Sequence, residues 1–156
     1  IMVRCILFLA NIPLISLILA AVCSADEPVP ELVRVQLILR GEHFKAADVK
    51  PLLEMGERAF PAYEIIIGNP ESDPTEVARA FGIIGQVKGS RSRFIDSTVA
   101  RLADSNRGVR TAALGLLGRI GSERDTAPII ALLSDEDLMV RTAAADTLPK
   151  IGGKRD

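Results

Sequence analysis

The chain has 156 residues, with 19 lysines and arginines against 20 acids and only 4% aromatic residues. A formal net charge of −1 excludes a basic surface for nucleic acid spread over the whole molecule. Two cysteines and one histidine leave little from which to build a zinc site, which takes three or four ligands.

The chain opens on Met2-Val3-Arg4 after Ile1. A long apolar run from Cys5 to Val22 follows, interrupted by Asn11, Pro13 and Ser16. Small residues close it, Ala20, Ala21, Ser24 and Ala25, and the first acid of the chain is Asp26. A basic start, an apolar middle and a small-residue end are the pattern of a secretory signal peptide. Residues 1–25 are read as that peptide, with Cys23 and Ala25 at the cleavage site. The rival readings are an uncleaved membrane anchor over residues 5–22, long enough to span at the lower limit, and a lipid anchor on Cys23. Export removes both cysteines and leaves no thiol, so the remainder rests on its hydrophobic core as one domain. The expected compartment is extracytoplasmic, periplasmic or secreted.

Residues 26–45 are expected to be a linker and an N-terminal capping segment, starting with the stiff stretch Glu27-Pro28-Val29-Pro30. The run from Leu32 to Arg40 is ambiguous. Val33, Val35, Leu37 and Leu39 alternate as a strand would. Pro30 and Glu31 make a helix start and Gly41 a helix stop, and helix is favoured. Next, Val49, Leu52 and Leu53 mark a helix from Ala46 to Gly56. Its partner runs from Glu57 to Ile67, with Phe60, Tyr63, Ile66 and Ile67 inward. Gly68-Asn69-Pro70 and Ser72-Asp73-Pro74 bound a loop. Thr75 to Gln86 pairs with Phe94 to Ala103, whose inward residues are Phe94, Ile95, Thr98, Val99 and Leu102. The predicted units are 46–68, 75–103, 106–133 and a partial one at 137–156.

The last two units repeat one another. Val109, Ala112, Ala113, Leu116, Leu117 and Ile120 form one helical stripe. The stripe returns 31 residues later as Val140, Ala143, Ala144, Thr147, Leu148 and Ile151, and ten of 17 positions are identical between 109–125 and 140–156. Asn106 and Asp137 occupy the N-cap positions of the two helices. Thr126 to Leu133 lies between them, with Pro128 tolerated in its first turn. A fainter copy carries Val77, Ala80, Phe81, Ile84 and Val87. A repeat at this period marks a stack of helix pairs.

Asp104-x4-Val109-Arg110-x2-Ala113-x3-Leu117-x2-Ile120-Gly121 and its copy from Asp135 to Gly152 resemble HEAT repeats, in particular the compact HEAT-like units of phycobilin lyases. The resemblance is clear over residues 75–156 and loose over 42–74. It implies an all-α, right-handed α-solenoid. It further implies a ladder between adjacent units made by Asp104, Arg110, Asp135 and Arg141, suited to the arginine fork.

Other candidates read as ordinary surface. His43 has no nucleophile motif to serve and is expected in a surface loop. Gly82, Gly85, Gly115 and Gly118 recur inside helices, which points to close helix–helix approach. Lys88, Arg91, Arg93 and Arg101 make a basic cluster that could contact a partner, although a solvated helix start explains it as well. No catalytic, cofactor or metal residue is identified. After Ile151 the repeat calls for a second helix, so either the chain is a fragment or that face meets another molecule, including a second copy. The expected role is a non-catalytic scaffold or adaptor for a protein or peptide, with no nucleic acid and a membrane only if the N-terminal segment is retained. The alternatives are a bilin-lyase-like subunit and a structural segment of a longer repeat protein.

Overall fold

A computed structural model describes residues 31–41, 44–89 and 91–152 of the protein. The signal segment, the linker up to Pro30, His43 and the tail after Gly152 lie outside these residues. Among the described residues eight α-helices follow one another: α1 Glu31–Arg40, α2 Ala46–Met55, α3 Phe60–Gly68, α4 Pro74–Ile84, α5 Ile95–Ala100, α6 Arg107–Ile120, α7 Thr126–Ala131 and α8 Leu138–Gly152. No strand occurs among the described residues, and no helix there is long and apolar enough to cross a membrane. The fold is an α-solenoid.

Helix starts are set by side chains that accept from orphan N–H groups. Asp73 accepts from Thr75 and Glu76 at 2.8 and 3.1 Å. Asn106 accepts from Gly108 and Val109 at 2.8 and 3.4 Å. Asp137 does the same for Met139 and Val140 at 2.8 and 3.4 Å.

Helices α4, α6 and α8 stack as one row, and α3, α5 and α7 lie beside it, each against the next helix of that row. The apolar stripe of each first-row helix supplies the core: Val77, Ala80, Phe81 and Ile84, then Val109, Ala113, Leu116 and Leu117, then Val140, Ala144 and Ile151 are all buried. Each fully buried Leu, Ile or Val contributes about 1.5–3 kcal/mol relative to exposure. The second row adds Phe60, Tyr63, Ile66 and Ile67, with Phe60 edge-on to Phe94 at 5.0 Å between centroids.

The second-row helices are shorter than expected. α5 and α7 have six residues each and run into 3₁₀ turns at Arg101–Ala103 and Leu132–Ser134. The ambiguous run at 32–40 is helical and buries Val35 and Leu39. It is chiefly α1, rather than α2, that packs on α4. The alternation of Val33, Val35, Leu37 and Leu39 misleads because only two of the four face inward, and Leu37 is 63% exposed.

The glycine expectation holds for half of the set. A Cβ at Gly85 would meet Arg119 Cδ at 2.9 Å, and one at Gly118 would meet Lys150 Cδ and Thr147 Cγ2 at 3.4 and 3.5 Å. Gly82 and Gly115 are exposed with open space around them. They sit three residues earlier on the helix, which turns them away from the neighbouring unit.

Candidate functional site

The turn edge of the stack carries its strongest polar chemistry. Arg110 leaves the first turn of α6 and returns to its own entry turn, where Nη1 donates to the carbonyls of Asp104 and Ser105 at 2.9 and 3.2 Å. Its Nη2 crosses to the next unit and donates to Asp135 Oδ1 at 2.9 Å. Both side chains are below 10% exposed. The hydrogen bond from Arg110, helped by the backbone N–H of Asp137, holds the Asp135 carboxyl below the usual carboxylate range. The same hydrogen bond raises the Arg110 guanidinium. Arg107 adds a second bridge, to Asp137 at 2.9 Å, and holds that carboxyl down as well. Arg107 is 70% exposed, so this bridge contributes little stability.

The four ladder residues therefore come together unevenly. Arg110 and Asp135 join adjacent units. Asp104 instead takes Arg101, three residues before it, at 2.7 Å. Arg141 Nη1 donates to the carbonyls of Asp135 and Glu136 at 2.8 and 3.0 Å. A shallow groove of about 500 Å³ follows this edge, lined by Ser105, Asn106, Arg107, Arg110, Glu136 and Asp137.

The residues of the basic cluster have different surroundings. Arg101 is buried at 9% exposure. Its guanidinium donates to the carbonyls of Ile67 and Asn69 at 2.7 and 2.6 Å and to Asp104, so it fastens α5 to the end of α3. Arg93 donates to Glu64 at 2.6 Å and lies over the Phe60 ring. Lys88 is exposed, and the Arg91 side chain lies outside the described set. Among the described residues of the cluster Arg101 alone is taken out of solvent, whereas Arg93 is paired but 45% exposed.

The sequence reading also missed a second fastening, at the α1–α4 contact. Arg79 donates to the carbonyls of Leu39 and Gly41 at 2.5 and 3.0 Å and stacks on Phe44. Arg40 donates to Glu76 Oε2 at 2.7 Å, and the Glu76 side chain is fully buried. The signal was present as an acid next to the apolar stripe of α4, between Thr75 and Val77.

Residues 95–156, about two-fifths of the chain, match the family profile for HEAT repeats. Over those residues the chain is similar to HEAT repeats. No curated protein matches the chain. HEAT repeats generally mediate protein–protein interaction, and the edge just described joins two adjacent units of this stretch, arginine from one and aspartate from the next. Among the described residues no group of three or more His, Cys, Asp or Glu could hold a metal.

Burial of Glu76 raises its carboxyl above the usual range, and Arg40 offsets only part of that rise. A raised folded-state pKa means stability that is complete below the unfolded value, about 4.3, and lost as pH rises through the folded value. Glu76→Gln is therefore expected to raise the melting temperature at pH 7 by a few degrees. The gain should vanish near pH 4. Parallel melts of the two proteins from pH 4 to 8 check this, and a constant difference across the range would show that ionisation is not the cause.

Proposed function

We propose that the protein is a non-catalytic scaffold, exported by its N-terminal segment, that binds a protein or peptide along its second-row helices. The observation that carries this reading is the split between the two rows. The first-row helices α4 and α6 leave no large apolar side chain exposed, whereas the second row leaves several in water: Ile65 on α3 is 49% exposed, Ile130 on α7 54%, and Leu133 just after α7 40%. A row of rigidly backed apolar side chains binds with little ordering cost, and such anchors dominate interface energies.

The test uses the exported protein with a photo-crosslinking side chain at Ile130, or at exposed Arg58 on the 3₁₀ turn before α3 as a control. The expected result is one reproducible protein crosslink from Ile130 alone, lost when Ile65 is changed to Asp in the same molecule while the melting curve is kept. Crosslinks of equal pattern from both positions, or none from Ile130, would overturn the second-row surface. Amino-terminal sequencing of the exported protein should begin at Asp26, and a chain that still starts at Met2 would overturn cleavage.

A further inference from the structure

A groove of about 470 Å³ opens on the second row, between the end of α3 and the end of α5. It lies inside the stack, with α1 and α2 before it in the chain and α6 to α8 after it. Its opening therefore owes nothing to where the sequence stops. Its walls are short side chains, Gly68 and Pro70 on one side and Ala100 and Ala103 on the other. A Cβ at Gly68 would meet nothing within 4 Å.

The groove offers a ligand oxygen. Among its lining residues Arg101 is the one cation, and each nitrogen of its guanidinium is already engaged. Nε donates to the Ile67 carbonyl, Nη1 to Asp104 and Nη2 to the Asn69 carbonyl. The Ser97 hydroxyl donates to the Phe94 carbonyl at 3.1 Å, which leaves its lone pairs free to accept. Helix α3 ends here at Gly68, and α5 ends here through its 3₁₀ turn to Ala103. Both bring the negative end of their backbone dipoles to the groove. Two exposed carboxylates border it, Asp96 one turn before Ala100 and Glu71 directly after Pro70. Neither carboxylate has a partner among the described residues.

The repeat shows why the stack does not make up this deficit. At the next joint two arginines of α6 cross to the following turn, Arg107 to Asp137 and Arg110 to Asp135. Counted from the N-caps Asp73 and Asn106, their counterparts on α4 are Pro74 and Val77. Asp104, the counterpart of Asp135, thus receives no cation from the preceding unit. Arg101 balances it from within its own unit, and Glu71 and Asp96 are left without a counter-charge.

We propose that this groove takes a lysine or arginine side chain of a partner protein, with the aliphatic stem along Gly68, Pro70, Ala100 and Ala103 and the cationic head on the oxygens of the groove and its border. Such a side chain combines an apolar stem with a charged, donor-only head, which is what short apolar walls and a surplus of acceptors match. This rests on the scaffold reading and names the chemistry that the second row selects, a basic residue beside the apolar ones that meet Ile65.

The experiment titrates the isotope-labelled exported protein with the acetylated, amidated peptide Leu-Ala-Arg-Ala-Leu and follows the backbone amides by NMR. The comparison peptide carries citrulline in place of arginine, which keeps the shape and loses the charge. Saturable shifts at Gly68, Ala100 and Ala103 are expected with the arginine peptide. The citrulline peptide should bind about tenfold more weakly, the scale of a charge-assisted hydrogen bond. Ala100→Lys, at an exposed position of α5, places the protein's own cation in the groove and should weaken binding at least as much while the melting curve is kept. Ala131→Lys, at the exposed counterpart 31 residues on, should leave binding unchanged. No shift at millimolar arginine peptide, equal binding of the two peptides, or equal loss in the two lysine variants would each overturn the proposal. Equal binding with shifts at Ile65 and Ile130 would remove the cation site and leave the scaffold reading standing. Arginine-specific binding at Gly68 without a crosslink from Ile130 would do the reverse.

Discussion

Leu114→Ala should lower stability by about 3–4 kcal/mol and the melting temperature by roughly 15 °C. Leu114 is fully buried in the middle of α6, where α6 is covered by α8 on one side and α4 on the other. Truncation removes the side chain and leaves a cavity that two stacked helices cannot collapse into. In a stack, each unit is held mainly by its neighbours. The loss should therefore be local before it is global. Hydrogen exchange read by mass spectrometry is expected to show α7 and α8 losing protection first, with α3 and α4 close to wild type. Uniform loss of protection along the chain would mean that the units are coupled as one block.

Arg110→Ala removes three fastenings at once: two turn carbonyls lose a donor and Asp135 loses its cation. Breaking a deeply buried pair costs about 3–5 kcal/mol. This pair lies at the edge of the stack next to Glu136, whose side chain is 90% exposed, so about 2 kcal/mol and roughly 10 °C of melting temperature are expected. The pH dependence has a definite sign. The Asp135 carboxyl is lowered in the folded protein. Its contribution is present above the unfolded value, about 3.9, and is lost as pH falls through the lower folded value. The gap between wild type and Arg110→Ala should be full at neutral pH and narrow below about pH 4. A gap that stays constant into acid would assign the loss to the carbonyl contacts alone.

Much of this architecture was legible in the sequence, because an amphipathic stripe and a helix cap each leave a local signature. The stripe from Val109 to Ile120 marks a face that is buried or partly buried at every position, and Asn106 and Asp137 start their helices with their own side chains. The polar fastenings were less legible. Arg101 reads as one of four surface cations, because what buries it is a pair of main-chain carbonyls on another helix, and carbonyls have no sequence. Arg110 and Asp104 recur together in the repeat, yet the carboxylate that Arg110 meets is Asp135, one unit further on. Periodicity gives the residues of a ladder but not which rung each side chain reaches. The short second-row helices were overestimated for a related reason. The apolar pattern continues through Leu102 and Leu132 while the backbone tightens to 3₁₀ under them.

Five arginines of this stack share a habit: Arg79, Arg101, Arg110, Arg119 and Arg141 each donate to main-chain oxygen. A carbonyl is the same whichever residue bears it. The side chains of turn residues such as Ser105 and Glu136, whose oxygens are gripped from behind, are thereby released from holding the protein together. Those positions form a margin on which substitutions can accumulate at small cost, so that variants of this chain could acquire new ligand preferences at the turn edge while the helices behind it stay as they are.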